Sequence, residues 1–413
     1  MGDAVRSLGS RTLWRDDLEQ QLAAIAPERR RALRSFRPGE APGSLEAATL
    51  PTSTHPHPAA PLLDLASNDY LGLSRHPSLV AAAQAAAAGE GVGAGASRLV
   101  SGSRPVHAQL ETALASWLGR ERVLLFPSGF QANLAAVTAL ADRHSLVLAD
   151  RLIHHSLLSG VRASGARLQR FAHNDLAALE QRLQAARRER PTQRLLVLSE
   201  SLFSMQGTSP EVGALAALCA SHGAALLLDE AHALGVMGPG GRGLGYGLNG
   251  EGGRPEIALI SGTFGKAFGS GGAFLAGGSL VMEWLLQFSG PFRYTTALAP
   301  PLAAAALAAL ACLQADPRGR ELLQRAARWR TALEAAGWPR PPGTGPILPL
   351  LVGDDGCALA LQHRLEAAGL LSVAIRPPTV PEGTARLRLV LRHDLPQGSL
   401  ERLLTALGPP PCN

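Results

Sequence analysis

Ala224–His232, AALLLDEAH, runs a short apolar strand straight into a carboxylate, and Ile257–Gly269, IALISGTFGKAFG, runs another into a small-residue loop around a lysine. The pattern repeats upstream. Val123–Phe126, Ser145–Ala149 and Leu195–Ser199 are apolar runs of strand length, and Ala/Leu-rich helical stretches separate them. Buried strands alternating with helices predict an α/β layer fold around a mainly parallel sheet, with ligands at the strand ends.

Outward from that core the pattern changes twice. Leu18, Leu22 and Ile25 recur at i, i+4, i+7 and predict an amphipathic helix that stops at Pro27, with a second helical piece over Arg29–Phe36. The Pro/Ala/Thr-rich stretch Arg37–Pro61 reads as a loop. Past the Ala-rich helix near 299–315, a helix around Ala358–Ala368, strands at Leu371–Ile375 and Ala385–Leu391, and a last helix from Ser399 predict a smaller α+β unit. The expected division is 1–61 for the N-terminal helical segment and Pro-rich linker, 62–298 for the large α/β domain, and 299–413 for the small domain.

Composition narrows the function. The net charge is +6, but the arginines are dispersed and aromatic residues make up only 4%, so no stacking platform for nucleic acid is visible. The uncharged stretch Ala297–Leu313 is Ala-rich with two prolines near its start, and reads as a buried helix rather than a membrane span. Cys219, Cys312, Cys357 and Cys412 are widely spaced, which predicts free thiols in a reducing, cytoplasmic setting and no zinc site. The Gly-rich run Gly89–Ser97 follows a helix, not a strand, so it lacks the context of a dinucleotide loop. His55–Pro58, HPHP, lies in the linker and carries no metal assignment.

The chain holds 39 basic residues, and one of them, Lys266, is a lysine. Arginine replaces lysine for surface charge but not for Schiff-base chemistry, which needs an amine able to lose its proton. A lysine and an aspartate at neighbouring strand ends form the layout expected for pyridoxal phosphate, with lysine for the aldehyde and aspartate for the pyridinium nitrogen. Two blander readings stay open from the residues alone. Asp229 suits a helix cap, and Lys266 suits a lone surface charge or a phosphate contact.

Seven stretches together resemble the α-oxoamine synthases: SNDYLGL (67–73), SRLVSGSRPVHAQLE (97–111), FPSGFQAN (126–133), DRLIHHSLL (150–158), SESLFSMQG (199–207), DEAHALGVMG (229–238) and SGTFGKAFG (261–269). The resemblance implies a fold-type I pyridoxal phosphate enzyme that condenses an amino acid with an acyl thioester. IRPPTVPEGTARLRL (375–389) is similar to members that join L-alanine to a pimeloyl thioester in biotin synthesis, delivered by coenzyme A or an acyl carrier protein. Members using glycine or serine with other acyl chains are the alternative, and a non-catalytic subunit of the same fold is a further one.

By the same resemblance, Lys266 carries the cofactor and moves the Cα proton, Asp229 pairs with the ring nitrogen, and His232 reaches the phenolic oxygen. His154 stacks on the ring and approaches substrate, whereas His155 is structural. Gly129 and Phe130, opening a helix, hold the phosphate with Ser204 and Thr263. Thr295 or Thr296 extends toward a partner subunit's site, so a homodimer with the active site at its interface is expected. Arg388 grips the amino-acid carboxylate near Asn68, while Arg34 and Thr379 contact the acyl substrate. Arg386 and Arg388 alternate with Leu387, Leu389 and Leu391, so both guanidiniums point to one side of their strand. The stretch before Leu62 departs from the family, because it shows no alternating pattern for the strand pair expected there.

Overall fold

A computed structural model describes residues 13–48 and 60–410. Its centre is a seven-stranded sheet in the order Arg122–Phe126, Ala273–Gly277, Leu259–Thr263, Ala225–Asp229, Leu195–Glu200, Leu146–Asp150, Arg167–Phe171. Only Ala273–Gly277 runs antiparallel to its neighbours. The apolar runs lie buried on both faces because successive side chains point to opposite sides. Leu226 and Leu228 face one hydrophobic cluster, and Leu227 faces the other.

Helices cover each face. Gly129–Leu140, His155–Ser164 and Ser279–Phe288 contribute to one cluster. Pro105–Leu118, Leu176–Glu189, Val212–Ser221 and the Ala-rich Pro300–Ala315 contribute to the other. The Ala-rich helix packs on Pro77–Glu90 and Pro105–Leu118, where its small side chains allow close approach. No helix among the described residues is long and apolar enough to cross a membrane.

The C-terminal part holds a three-stranded antiparallel sheet, Ile347–Gly353, Ala385–Val390, Val373–Ile375, with Ala385–Val390 in the middle. Helix Asp355–Ala367 packs on it, and helix Ser399–Leu407 packs on that helix.

The N-terminal segment corrects the sequence reading. Ser35–Pro38 and Ser44–Ala48 form an antiparallel hairpin inside the stretches read as helix and loop. The hairpin continues through Leu62–Asp64 to Leu370–Leu371, making a four-stranded sheet. The two hairpin strands are short and at most half-buried, and the alternation of SLEA is too brief to announce them. Register comes instead from Leu62–Asp64, which is buried throughout. Residues 30–34 are not helical, and only Pro27–Arg29 makes a single tight turn. Helix Leu13–Ala23 forms, but it buries none of its residues. His55–Pro58 and Cys412 lie outside the described residues, and Cys219, Cys312 and Cys357 are free thiols.

Candidate active site

Strand ends on one edge of the parallel sheet bring the chemistry together. Asp229 ends Ala225–Asp229, Glu200 ends Leu195–Glu200, and the two are register partners. Thr263 ends Leu259–Thr263, and Lys266 follows three residues later. The loop after Lys266 is pinned close to SNDYLGLS. Gly269 takes φ +62° there, and a Cβ on it would lie 2.4 Å from the Ser74 nitrogen, so only glycine fits.

Asp229 is buried and bound on both oxygens. Oδ1 accepts from the Ala231 N–H at 2.9 Å in a turn rather than a helix cap, since no helix follows directly, and Oδ2 accepts from Asn133 Nδ2 at 2.7 Å. Asn133 Nδ2 also donates to Ser156 Oγ at 2.9 Å, and Ser156 Oγ lies 2.7 Å from His154 Nδ1. A continuous hydrogen-bonded chain therefore joins Asp229 to His154 through the interior. The carboxylate fixes which way the Asn133 amide faces, since turning it would set oxygen against oxygen. Asn133 Oδ1 is left buried without a partner.

His154 caps helix His155–Ser164, its ring accepting from the Ser156 N–H at 3.3 Å. With two donors on Nδ1, the ring presents Nε2–H outward. Desolvation by the surrounding chain lowers its pKa, Asp229 opposes that, and Lys266 and His155 reinforce it. His155 turns away and lies against Phe130, ring centres 6.5 Å apart.

Lys266 is the second unusual charge. Burial pushes its amine down to about 8, against the pull of Asp229 and Glu200 and with the push of Arg388. A fraction of the amine is then a free nucleophile near neutral pH. Glu200 is forced in the opposite direction. Burial raises its carboxyl well above the usual range, and the neighbouring Asp229 adds to that. His232 is buried, and desolvation, then Lys266, Arg388 and His154, hold its imidazole well below its ordinary value. It is a neutral ring bonded through Nδ1 to the Tyr70 hydroxyl at 2.6 Å.

Helix Gly129–Leu140 opens beside Thr263. A Cβ on Gly129 would stand 3.8 Å from Thr263 Oγ1. Ser128 caps the helix by accepting from the Gln131 N–H, and the first-turn N–H groups of Gly129 and Phe130 lie ahead of the intrahelical ladder. Thr263 Oγ1 donates to the Gly272 carbonyl and accepts from the Gly265 N–H. Ser204 sits in the loop after Leu195–Glu200, half-buried.

Arg388 comes from the middle strand of the small sheet and is buried at 6% exposure. It donates Nε to the Ser204 carbonyl at 2.7 Å and Nη2 to Asn68 Oδ1 at 2.9 Å, linking both ends of the chain to the large sheet. Desolvation lowers its pKa, with Tyr70 pulling it back. Arg386 points to the same side and donates to the Thr384 and Met205 carbonyls.

Arg34 and Thr379, the acyl-contact pair of the sequence reading, each have a side-chain partner. Arg34 is committed to Glu366 through two nitrogens, at 2.6 and 3.2 Å, and Arg31 instead reaches Thr379 Oγ1 at 3.2 Å. Nothing among the described contacts ties Arg34 to the Lys266 cluster. Thr295 is half-buried and Thr296 exposed, directly after the exposed Tyr294.

Four residues of the cluster had no role in the sequence reading: Asn133, Ser156, Glu200 and Tyr70. Glu200 carried the same signal as Asp229, a carboxylate after an apolar run. Asn133 and Tyr70 lay within quoted motifs with nothing in their spacing to single them out. A depressed amine, a carboxylate on a neighbouring strand and a helix N-terminus for an anion fit an aldehyde cofactor bearing a pyridine nitrogen and a phosphate. The unpartnered Asn133 oxygen leaves a polar demand in the same corner.

The chain matches the family model Aminotransferase class I and II over residues 60–407. It is 45% identical over 350 residues to the 8-amino-7-oxononanoate synthase of Chromohalobacter salexigens, covering 84% of this chain and 89% of that one. Among solved structures it is similar to a serine palmitoyltransferase from S. paucimobilis with a bound PLP–myriocin aldimine. That match has a TM-score of 0.83 and 25% identity over 96% of this chain and 95% of that one. It is also similar to the 8-amino-7-oxononanoate synthase of Francisella tularensis, with a TM-score of 0.71 and 26% identity over 84% of this chain and 96% of that one.

Proposed function

Since the chain belongs to the class I and II aminotransferase family and, within it, to the 8-amino-7-oxononanoate synthases, we propose that it condenses L-alanine with a pimeloyl thioester. The products are 8-amino-7-oxononanoate, carbon dioxide and the free thiol, and the step belongs to biotin synthesis. The observation that carries the cofactor chemistry is the single lysine, its amine held near 8, at a strand end beside Asp229, and the 8-amino-7-oxononanoate synthase relatives support the substrates.

Pyridoxal phosphate, when bound, supplies the electron sink for the pair left at Cα once a bond there breaks. Lys266 would hold the cofactor, and its Nζ would take and return the Cα proton of the substrate. Asp229, fixed by Asn133 and the Ala231 N–H, keeps a proton on the ring nitrogen. His232, a neutral ring, would donate to the phenolic oxygen. Gly129 and Phe130 N–H groups, with Ser204 and Thr263, hold the phosphate at the helix start. His154, with Nδ1 engaged by Ser156, would turn its Nε2–H toward the cofactor and orient the substrate.

Arg388 would bind the alanine carboxylate beside Asn68 through the guanidinium N–H groups not given to Ser204 and Asn68, and so orient the substrate. Thr379 and Arg34 contact the acyl chain. Arg31, already on Thr379, joins them. The acyl donor is a coenzyme A or acyl carrier protein thioester. The assembly is a homodimer with Thr295 or Thr296 directed to the partner's site. Exposed Phe130, Leu280, Phe288 and Tyr294 support it, since large apolar groups on a surface mark an interface. The free thiols support a cytoplasmic setting.

The test is a matrix of alanine, glycine and serine against pimeloyl, acetyl, succinyl and palmitoyl thioesters, scored by carbon dioxide release. Alanine with pimeloyl is expected to lead. A preference for serine with palmitoyl, or glycine with succinyl, overturns the substrate assignment and leaves the cofactor assignment standing.

A further inference from the structure

Tyr70 is wholly buried, and the reaction as derived gives its hydroxyl no chemical task. That hydroxyl lies 2.6 Å from His232 Nδ1 and 3.4 Å from Asn68 Oδ1. Asn68 Oδ1 already accepts from the charged Arg388 Nη2 at 2.9 Å. One phenolic proton thus has two acceptors, and the histidine nitrogen is both nearer and unshared.

The ring cannot take a second proton cheaply. It is buried, and Lys266, Arg388 and His154 all face it with positive or potentially positive charge. Asp229 and Glu200 act on Lys266, and His232 is bonded to neither carboxylate among the described contacts. With Nδ1 accepting, the ring's single hydrogen sits on Nε2.

We propose that Tyr70 is a positioning residue that locks His232 in the Nε2–H tautomer, and that Asn68 and Tyr70 link this lock to Arg388. Carboxylate docking at Arg388 and hydrogen-bond donation by His232 are then parts of one connected network. When the substrate carboxylate draws on Arg388, its bond to Asn68 Oδ1 weakens and that oxygen competes better for the phenolic proton. Donation to His232 weakens in step. The target of the Nε2–H, the cofactor's phenolic oxygen, rests on the proposed function; the tautomer itself belongs to the chain alone.

The direct test is NMR of protein labelled with ¹⁵N in its histidine rings, measured without cofactor and after loading with pyridoxal phosphate. His232 is assigned by the signal lost in a His232→Asn protein. The expected result is an unprotonated Nδ1 accepting a hydrogen bond and a protonated Nε2 in both forms. An Nδ1–H tautomer in the wild-type protein overturns the proposal, whether or not any variant folds.

Tyr70→Phe is expected to mix the tautomers. In the loaded protein it should also raise the pH midpoint of the cofactor's visible absorbance by about one unit, the equivalent of one lost hydrogen bond. An unchanged midpoint in a variant whose cofactor borohydride still fixes on Lys266 also overturns it. If wild-type protein takes up no pyridoxal phosphate, the cofactor assignment falls, and the tautomer of the cofactor-free protein still decides the role of Tyr70.

Discussion

The strand-end floor of the site and the rim where residues 29–34 meet residues 355–382 are built by different physics. On the floor, Asp229, Asn133, Ser156 and His154 are joined by bonds of 2.7 to 2.9 Å through the interior. On the rim, Arg29 reaches Asp355 and Glu382, Arg34 reaches Glu366, and Arg31 reaches Thr379, all with long side chains partly in water. Buried polar bonds are costly to break because the partner left behind stays desolvated. Exposed ion pairs are weak and exchange partners readily. The floor is therefore preorganised for chemistry, and the rim can trade contacts as an acyl chain enters.

Substitutions should separate the two regions, with the floor suffering most. Lys266→Ala removes the amine, and Lys266→Arg keeps a charge that cannot give it up. Both are expected to cut carbon dioxide release by on the order of 10⁴-fold or more. Turnover by the arginine protein would show that charge at Lys266, not a free amine, is what matters.

Arg388→Ala removes a desolvated bidentate contact and should raise KM for alanine by about 100-fold, against little change for the thioester. Equal changes in both would place Arg388 in general scaffolding. Asn133→Ala leaves Asp229 and Ser156 each short of a donor. It is expected to cost about tenfold in rate and about 1–2 kcal/mol in stability, read by denaturant unfolding of the loaded protein. An unaffected rate would break the inference that the interior bond chain orients Asp229.

The charge on Lys266 gives a pH signature. Between about 8 and its ordinary 10.5 the folded protein holds this proton less than the unfolded chain does. Stability of the cofactor-free protein should therefore climb as pH rises through that window, and Lys266→Met should lack this part of the climb. A Lys266 contribution that falls across the same window would contradict a lowered amine.

The rim should respond least. Arg34→Ala opens a partly exposed pair and is expected to cost under about 1 kcal/mol of stability, with a few-fold rise in KM for the thioester. A hundredfold effect would move Arg34 from the rim to the floor.

The same contrast explains what the sequence disclosed. Strands read clearly where they are buried and apolar, as at Leu195–Glu200 and Ala225–Asp229. Arg167–Phe171, RLQRF, is a polar edge strand, and Ala273–Gly277, AFLAG, hides behind a glycine-rich loop; neither was expected. Lys266 and Asp229 stood out because a charge next to a buried run needs a reason. Asn133 and Tyr70 did not, because their meaning lies in partners 96 and 162 residues away. The hairpin at 35–48 was misread for the same reason: its register depends on Leu62–Asp64, not on its own pattern.

The lone lysine also sets how this protein meets reactive small molecules. Aldehydes and activated esters add to side-chain amines, and ordinary proteins spread that damage over many surface lysines. This chain offers one side-chain target, and a bound cofactor would occupy it. The loaded enzyme should thus tolerate amine-directed reagents that silence the empty one, so occupancy becomes readable by labelling alone. Covalent attachment through lysine would take place only at the centre of the site, which makes this surface a poor one for conventional amine coupling.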